Sequence, residues 1–277
     1  MSSEPTPRFE FGRNWQLFLK HIDESVISQA IATMRRALDV ERLDGETFLD
    51  LGSGSGLFSL AAWRLGACVT SVDIDPQSVA CTAELRRRFG DGETRWRVET
   101  GSALDDVYLE SLGTFETVYS WGVLHHTGEM WRAIDNTVRR VAAGGRLYIA
   151  IYNDQGPASR RWKRVKQWYN RLPGAAKWLV LAPAFLRLWG PTFLKDLLLL
   201  RPGASWRNYR SARGMNAWRD VVDWVGGYPF EVAKPELVFR FVRNLGFELT
   251  WLSTCAGGLG CNEFVFAKKS PPASGAV

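Results

Sequence analysis

Cysteine and histidine are scarce in this sequence, and their scarcity narrows the chemistry it can perform. The 277 residues include three histidines and four cysteines, and the cysteines (Cys68, Cys81, Cys255 and Cys261) form no C-x-x-C pair. Without paired cysteines, or histidines at the spacing of zinc ligands, the sequence predicts no metal site. The cysteines are expected to be reduced thiols in a cytoplasmic protein, and the polar, Pro-rich first residues show no signal peptide.

The sequence also lacks an uninterrupted apolar run of the length that crosses a membrane. Its most apolar stretch, Trp178 to Leu200, is broken by Pro183, Gly190 and Pro191 and carries Arg187 near its middle. These interruptions argue against a transmembrane span. Two or three short helices are expected there instead.

Two common nucleotide-binding signatures are missing from the one glycine-rich stretch that follows an apolar run. This stretch, Phe48–Gly56, reads FLDLGSGSG, and its turn is formed by Gly52, Ser53, Gly54 and Gly56. A strand, a Gly-rich turn and a helix in this order form the ligand-binding end of a doubly wound sheet. A dinucleotide fingerprint would place its third glycine where Leu57 stands, and no Gly-Lys-Ser/Thr of a P-loop follows.

Two carboxylates at predicted strand ends indicate which ligand this turn binds. Asp50 lies just inside the turn, where it would repel a pyrophosphate and would suit an ammonium or sulfonium group. Asp73 ends the second predicted strand, about twenty residues beyond the glycines, where a carboxylate can accept hydrogen bonds from both hydroxyls of a ribose. The neighbouring Ile74 is expected to lie against the face of an adenine.

These residues resemble motif I of the class I S-adenosylmethionine (AdoMet) dependent methyltransferases. The L-D-x-G-x-G-x-G start, the acid after strand 2 and the V-L-H-H stretch at residues 123–126 are together similar to the ubiquinone-biosynthesis and related small-molecule methyltransferases. The resemblance covers about 45–152 and 230–268. It implies an α/β, Rossmann-like sheet of seven strands, six parallel and one antiparallel, with AdoMet as cofactor and S-adenosylhomocysteine (AdoHcy) as product.

The resemblance implies further contacts with the cofactor. Ser102 stands where an acid usually meets the adenine amino group, and Ala103 follows it. Trp121, at the end of the fourth predicted strand, is a further expected contact. Asn14 and Trp15 precede a helix expected from about Gln16 to Leu38, which could close over the cofactor; plain packing is the alternative for both.

The resemblance to this family also implies a division of the chain into four parts. They are an N-terminal helical segment (1–44), an AdoMet-binding core (45–154 and 230–269), a helical cap inserted after strand 5 (155–229) and a tail (270–277). Within the core, Gly144–Gly145 is expected to end the helix that follows the fourth strand.

A pair of histidines supplies the candidate catalytic groups. A methyl group on a sulfonium is already activated, so an enzyme mainly aligns the acceptor, but a hydroxyl acceptor also needs a base. His125 and His126 lie just past strand 4 and could take that proton; packing or orienting the cofactor is the alternative. Tyr152, Asn153 and Asp154 are second candidates, with capping of their loop as the alternative.

Basic and aromatic residues are concentrated in the cap. Between Arg160 and Arg213 thirteen Lys and Arg accompany one acid, Asp196, and five tryptophans. This composition fits an anionic or sugar acceptor, an anionic membrane surface, a nucleic acid or ordinary solvated helix faces. Nucleic acid is disfavoured, because Trp121–Leu124 does not match the Asn/Asp-Pro-Pro-Tyr/Phe stretch of base-methylating enzymes and no cysteine follows strand 4 or 5.

The function expected from these features is methyl transfer from AdoMet to a small-molecule acceptor bound beneath the cap, with oxygen as the preferred acceptor atom. One alternative is methylation of a membrane-associated lipid or quinone-like substrate, with peripheral membrane contact through 160–213. The other is a non-catalytic AdoMet-binding scaffold.

Overall fold

Strands and helices alternate along the first half of the chain. The computed structural model describes residues 19, 22–90, 95–213 and 217–269. The strands in chain order are β1 (Thr47–Leu51), β2 (Cys68–Asp73), β3 (Trp96–Thr100), β4 (Phe115–Trp121), β5 (Val141–Tyr152), β6 (Phe247–Ser253) and β7 (Cys261–Lys268). The helices are α1 (Glu24–Leu38), α2 (Leu57–Arg64), α3 (Pro76–Phe89), α4 (Asp106–Ser111), α5 (Met130–Arg139), α6 (Pro157–Arg171), α7 (Trp178–Leu198), α8 (Ala204–Arg213), α9 (Ala217–Gly226) and α10 (Pro235–Asn244).

The described strands form one seven-stranded sheet in the order β3-β2-β1-β4-β5-β7-β6. Among these strands β7 alone runs opposite to the other six, and it pairs antiparallel with both β5 and β6. The expected sheet of six parallel strands and one antiparallel strand is therefore confirmed. The chain starts at the centre with β1, builds outward to β3, and then returns to β4 on the other side of β1. Ligands of doubly wound sheets bind outside the carboxyl ends of the strands at such a switch point.

Both faces of the sheet are covered by helices. Phe48 of β1 packs with Met34 of α1 and Leu60 of α2 on one face. The next residue, Leu49, packs with Ile134 of α5 on the opposite face, because successive side chains of a strand point to opposite sides. Burial on both faces accounts for the nearly continuous apolar runs of the central strands.

Two predicted helix boundaries are wrong. The helix that ends at Leu38 begins at Glu24 rather than near Gln16, since the Asp23 side chain caps it by accepting a hydrogen bond from the Val26 N–H at 3.0 Å. Gly144–Gly145 does not end α5. It lies inside β5, which begins at Val141, directly after Arg140, the C-cap residue of α5. A Cβ at position 145 would lie 2.7 Å from the Glu116 carbonyl, so this irregular stretch of the β4–β5 pair needs a glycine.

The four helices α6–α9 lie within the segment predicted as a cap and enclose an apolar core of their own. Tyr169, Ala184, Trp189, Val221 and Val225 are buried in it. The expected short helices between Trp178 and Leu200 are wrong, because α7 continues for 21 residues through Pro183 and Pro191. Both prolines are on its exposed side, where water can reach the carbonyls they leave unpaired. Across the described ranges, no helix is both long and apolar enough to pass through a bilayer.

Candidate functional site

The glycine turn lies at the carboxyl end of β1, where the sheet order reverses. Gly52 adopts a φ of 89° and Gly56 a φ of 80°, a left-handed region that favours glycine. Steric contact also requires a glycine at position 52, because a Cβ there would lie 2.3 Å from a methyl group of Val123. The turn therefore presents bare backbone towards the edge of the sheet.

Neighbouring elements hold this turn in place. The N–H groups of Gly52 and Ser53 donate to the Val72 carbonyl at 2.7 and 3.1 Å. The Thr82 hydroxyl of α3 lies 3.0 Å from the Ser53 hydroxyl and donates to the Gly54 carbonyl at 3.3 Å. No sequence motif includes Thr82, and only the packing of α3 against the turn shows that its hydroxyl helps to hold the turn in place.

Asp73 joins the end of β2 to the glycine turn. Its carboxylate accepts hydrogen bonds from the Gly54 N–H and the Asp75 N–H, each at 2.9 Å. Burial raises the pKa of Asp73, and these backbone donors oppose that shift. Each carboxylate oxygen can accept a further hydrogen bond, so the group can hold the turn and a ligand hydroxyl together. Ile74 beside it is 48% exposed, as a side chain that packs on a ligand would be before binding.

Asp50 is buried beneath the turn and faces α2. It accepts a hydrogen bond of 2.5 Å from the Ser59 hydroxyl, which also lies 2.6 Å from the Ser71 hydroxyl. The Trp96 indole N–H donates to Ser71 at 2.8 Å and completes the network. Burial raises the pKa of Asp50 to about 7, and the nearby charge of Asp73 adds to the shift. The two carboxylates are thus neighbours, while the contact between Asp50 and the cofactor stays a prediction.

The other predicted cofactor contacts occupy different environments. The Ser102 hydroxyl accepts a hydrogen bond from the Leu104 N–H at 3.1 Å, and the carbonyl of the buried Ala103 accepts one from the Asn136 amide at 3.0 Å. Trp121 is 43% exposed at the end of β4. Asn14 and Trp15 lie outside the described residues. The cofactor contacts of Ser102, Ala103, Trp121 and Trp15 stay predictions.

The histidine pair lies on a single 3-10 turn, Leu124–His126, after β4. The two rings are 4.6 Å apart between centroids. The Nδ1 atom of His126 lies 2.6 Å from the Pro229 carbonyl, which can only accept, so this nitrogen carries the proton. The Tyr152 N–H approaches the Nδ1 of the fully buried His125 at 3.4 Å, and the His125 Nε2 has no hydrogen-bond partner among the described residues.

Both imidazoles are neutral near physiological pH. Burial lowers the pKa of His126 to about 3 and that of His125 well below its ordinary value. The charge of Lys166 lowers both further, and His126 contributes at His125. Neutral imidazole is the form that can accept a proton, although a low pKa makes each ring a weak base.

An aromatic cluster with a buried lysine connects the histidine pair to the cap. The Tyr152 ring lies 3.9 Å from His125, 5.2 Å from Trp224 and 5.5 Å from Phe230, measured between centroids. Lys166 of α6 donates to the Trp224 carbonyl, and its ammonium nitrogen lies 4.3 Å from the Trp224 ring. Burial lowers the pKa of Lys166 to about 7, and Asp223 opposes that shift. The sequence placed Lys166 in a basic run, with nothing to mark it as buried.

The two residues after Tyr152 have structural roles. The Asn153 side chain accepts a hydrogen bond from the Asn262 amide at 3.1 Å and donates to the Gly258 carbonyl at 3.2 Å. It thereby ties the end of β5 to the β6–β7 connection. Asp154 accepts a hydrogen bond from the Gly156 N–H at 2.8 Å. These contacts correspond to the loop-capping alternative, and any part that either residue has in catalysis stays a prediction.

The residues at this edge fit AdoMet on their own chemistry. A backbone turn without side chains, a carboxylate at the end of β2 and an exposed isoleucine suit a nucleoside with two hydroxyls and an apolar base. The carboxyl groups of Asp50 and Asp73 make this edge acidic, although burial raises the pKa of both, and an acidic edge favours a sulfonium over a pyrophosphate. Within the described ranges, no three His, Cys, Asp or Glu side chains group closely enough to hold a metal ion.

Comparison with known proteins identifies the part of the chain that carries this edge. Residues 49–149 match the family described as a methyltransferase domain. A ubiquinone biosynthesis O-methyltransferase of Xanthomonas oryzae pv. oryzae (strain PXO99A) is 32% identical over 114 residues, which are 40% of this chain and 46% of the relative. The protein with that description from Xylella fastidiosa (strain 9a5c) is 29% identical over 111 residues, 40% of this chain and 44% of the relative. The match thus spans less than half the length of each relative.

Solved structures show the same fold over most of the chain. A putative methyltransferase from Bacillus halodurans C-125 is 12% identical and has a TM-score of 0.51, covering 88% of this chain and 100% of its own. The [4+2]-cyclase SpnF is 14% identical with a TM-score of 0.51, covering 88% and 82%. At these identities the likeness shows the fold alone. Residues 49–149 are thus matched by a methyltransferase domain family, within a fold that the chain shares with these structures.

Proposed function

We propose that this chain transfers the methyl group of AdoMet to a hydroxyl oxygen of a small-molecule acceptor bound beneath the helical cap. The observation that carries the proposal is the meeting of three features at one edge of the sheet. The glycine turn follows β1, Asp73 ends β2, and the histidine pair follows β4, and β1 pairs in parallel with both of the other strands. The carboxyl ends of parallel neighbours lie side by side, so cofactor and acceptor groups share this edge.

The chemistry requires alignment and the removal of one proton. AdoMet supplies an electrophilic methyl group on a positively charged sulfur. The protein holds the acceptor oxygen in line with it, so that the new oxygen–carbon bond forms as the carbon–sulfur bond breaks. The hydroxyl proton passes to a neutral imidazole of the histidine pair. His126 fits this role better, because its Nδ1 carries the proton against the Pro229 carbonyl and its Nε2 is therefore the nitrogen that can accept one. His125 accepts the Tyr152 N–H at Nδ1 and so carries its own proton on the buried Nε2, from which it can donate to the acceptor oxygen.

The side chains around the histidine pair favour an acceptor with a flat, apolar body. Aromatic rings lie on one side of the histidine pair, where Tyr152 contacts Trp224 and Phe230. Lys166 lies among them, and in its protonated form it stabilises an acceptor oxygen that is losing its proton. Together these groups support an aromatic or other conjugated hydroxyl compound better than a sugar.

One alternative within the same reaction is methylation of a membrane-associated lipid or quinone-like substrate. Two observations favour it: the described function of the Xanthomonas and Xylella relatives, and an apolar surface on α7. Both alternatives use the same cofactor edge and differ in where the acceptor resides.

A single experiment tests the reaction and separates these alternatives. Purified protein is incubated with AdoMet and either the aqueous or the organic-soluble fraction of a cell extract, and AdoHcy is measured by mass spectrometry. AdoHcy formed only with the aqueous fraction supports a soluble acceptor, and AdoHcy formed only with the organic fraction supports the lipid or quinone-like one. AdoMet binding without AdoHcy from either fraction would contradict methyl transfer and support the scaffold alternative. The Asp73→Ala variant serves as the control for the cofactor dependence of any AdoHcy signal.

A further inference from the structure

Helix α7 exposes an apolar stripe on the side that faces away from the cap core. Leu179, Leu186, Leu194 and Leu197 recur at the spacing of one helix face, and all four are exposed. Leu186 is 67% exposed and Leu194 58%. The stripe continues past the end of the helix to Leu200, which is 89% exposed. We call these five leucines the leucine stripe.

The inner side of α7 is already used, so the stripe is not a core face waiting for the rest of the cap. Ala184 and Trp189 are buried there, and Phe185 and Leu188 pack against the same cluster. The helix is therefore apolar on both sides, in contrast to an ordinary surface helix with one polar face. Large exposed apolar patches on soluble domains mark surfaces that bind a partner.

The charged residues on and next to α7 narrow the class of partner that this surface can bind. The exposed Arg187 and Lys195 belong to α7, and the exposed Arg201 follows directly after Leu200. Asp196, the single acid between Arg160 and Arg213, is turned inward. Its carboxylate accepts hydrogen bonds from the Ser205 N–H at 2.8 Å and from the Ser205 hydroxyl at 2.7 Å. On its exposed side α7 thus combines leucines with cations and carries no exposed carboxylate.

We propose that the leucine stripe docks this chain on an anionic lipid bilayer. The leucines would enter the apolar boundary of the bilayer, while Arg187, Lys195 and Arg201 reach the phosphate groups through their long apolar stems. A second copy of the chain fits this surface less well. A two-fold interface between two stripes would bring the cations of both copies together without an exposed acid on α7 to pair with them.

The docked helix lies on the bilayer and does not cross it. Its inner side stays packed on the cap core, and α7, although 21 residues long, is not apolar enough to span a membrane. The cap also carries Lys166 and Trp224, which lie beside the histidine pair. The inference concerns an interaction surface and stands whether or not the acceptor is a lipid.

Flotation with lipid vesicles tests the proposal on the full chain. The wild-type protein is mixed with vesicles of phosphatidylcholine alone, or of phosphatidylcholine with phosphatidylglycerol, and the bound fraction is measured after centrifugation. We expect binding to the anionic vesicles that weakens as salt rises from about 0.1 M to about 0.5 M. Leu179→Gln/Leu186→Gln/Leu194→Gln should lower the partition coefficient by about tenfold or more, since three apolar anchors are lost.

A matched control replaces the same number of exposed leucines outside the cap. Leu237→Gln/Leu245→Gln/Leu252→Gln should bind the anionic vesicles as the wild type does, because these leucines lie in the core domain at 40–45% exposure. Arg187→Gln/Lys195→Gln should retain part of the binding and lose most of its salt dependence. AdoMet affinity, measured by calorimetry on every variant, shows that the cofactor edge is intact and keeps this test separate from that of the methyl transfer.

Three outcomes would overturn the proposal. Wild-type protein that floats with neither vesicle, or equally well with both, contradicts an anionic bilayer as the partner. Equal binding by the two triple variants shows that the leucine stripe is not the contact. A wild-type dimer in light scattering that the stripe variant converts to a monomer identifies the surface as an interface between two copies.

Discussion

The Asp73 carboxylate accepts a hydrogen bond of 2.9 Å from the Gly54 N–H, so the end of β2 is tied directly to the glycine turn after β1. Its second oxygen accepts a hydrogen bond from the Asp75 N–H in the turn that follows β2. One side chain therefore fixes the two loops that border the proposed nucleoside site. Replacing it should affect cofactor binding through the lost ribose contact and through the position of the turn.

The Asp73→Ala variant should bind AdoMet more weakly by about tenfold to a hundredfold. Removing a charged acceptor costs about 1.5–3 kcal/mol. Isothermal calorimetry with AdoMet and AdoHcy measures the change in affinity. The affinity of Asp73→Asn, which keeps one acceptor oxygen, should lie between those of the wild type and Asp73→Ala. Asp135→Ala is the control, because Asp135 pairs with Arg139 on the surface of α5. An unchanged affinity in Asp73→Ala would rule out the ribose contact.

Asp50 should make the folded protein less stable as pH rises from about 4 to about 7. Burial raises the pKa of Asp50 from 3.8 to about 7, so between these values the folded state holds a proton that the unfolded state has lost. The free energy of unfolding therefore falls as pH rises through this range. Asp50→Asn cannot ionise and should flatten that fall.

Urea denaturation at about pH 5 and about pH 8 measures this difference between Asp50→Asn and the wild type. Ser59→Ala is a useful companion, because it removes the hydroxyl that opposes the raised pKa of Asp50. This second variant should keep the fall in stability and make it steeper. An identical pH dependence in wild type and Asp50→Asn would show that Asp50 does not take up a proton on folding.

Lys166 should produce the opposite dependence at higher pH. Burial lowers the pKa of Lys166 from 10.5 to about 7, so between these values the unfolded state binds the extra proton. The free energy of unfolding should therefore rise as pH increases from about 7 towards about 10. Lys166→Met keeps the apolar stem without the charge, and the part of the rise lost with it should be about 3 kcal/mol.

Denaturation at about pH 7 and about pH 9.5, in wild type and variant, measures this contribution. Lys163→Met is the matched control, because Lys163 belongs to the same helix and is exposed. The control should keep the wild-type rise in stability. If Lys166→Met also keeps it, the ammonium is not desolvated by the Trp224 and Phe230 rings.

The parts of the fold and site that the sequence predicts are those specified by neighbouring residues. The strand, glycine turn and helix from Phe48 onward form one continuous stretch, and Asp73 is recognisable because it ends the next β-branched run. Both signals are local. The number and direction of the strands follow instead from the resemblance to the class I methyltransferases, which these local signals carry.

The features that could not be predicted depend on contacts between distant residues. Ser59, Ser71 and Trp96 are ordinary polar and aromatic residues until folding places them against Asp50. Lys166 belongs to a basic run, and only its packing under Trp224 shows that it is buried. Proline predicted a break in α7 that does not occur, because the exposed side of a helix tolerates the carbonyls that Pro183 leaves unpaired.

The histidine pair gives the sharpest test of the proposed chemistry. His125→Phe keeps the volume of the buried ring, and His126→Gln keeps a polar group next to the Pro229 carbonyl. If one imidazole is the base, the corresponding variant should form AdoHcy about a hundredfold more slowly with the acceptor found in the extract assay. AdoMet affinity should stay within about twofold in both variants, since neither imidazole is part of the glycine turn.

Because burial lowers the pKa of both rings, to about 3 for His126, wild-type turnover should show no imidazole ionisation between about pH 6 and about pH 9. Full turnover in both variants would place the base elsewhere, with Tyr152 the next side chain to replace.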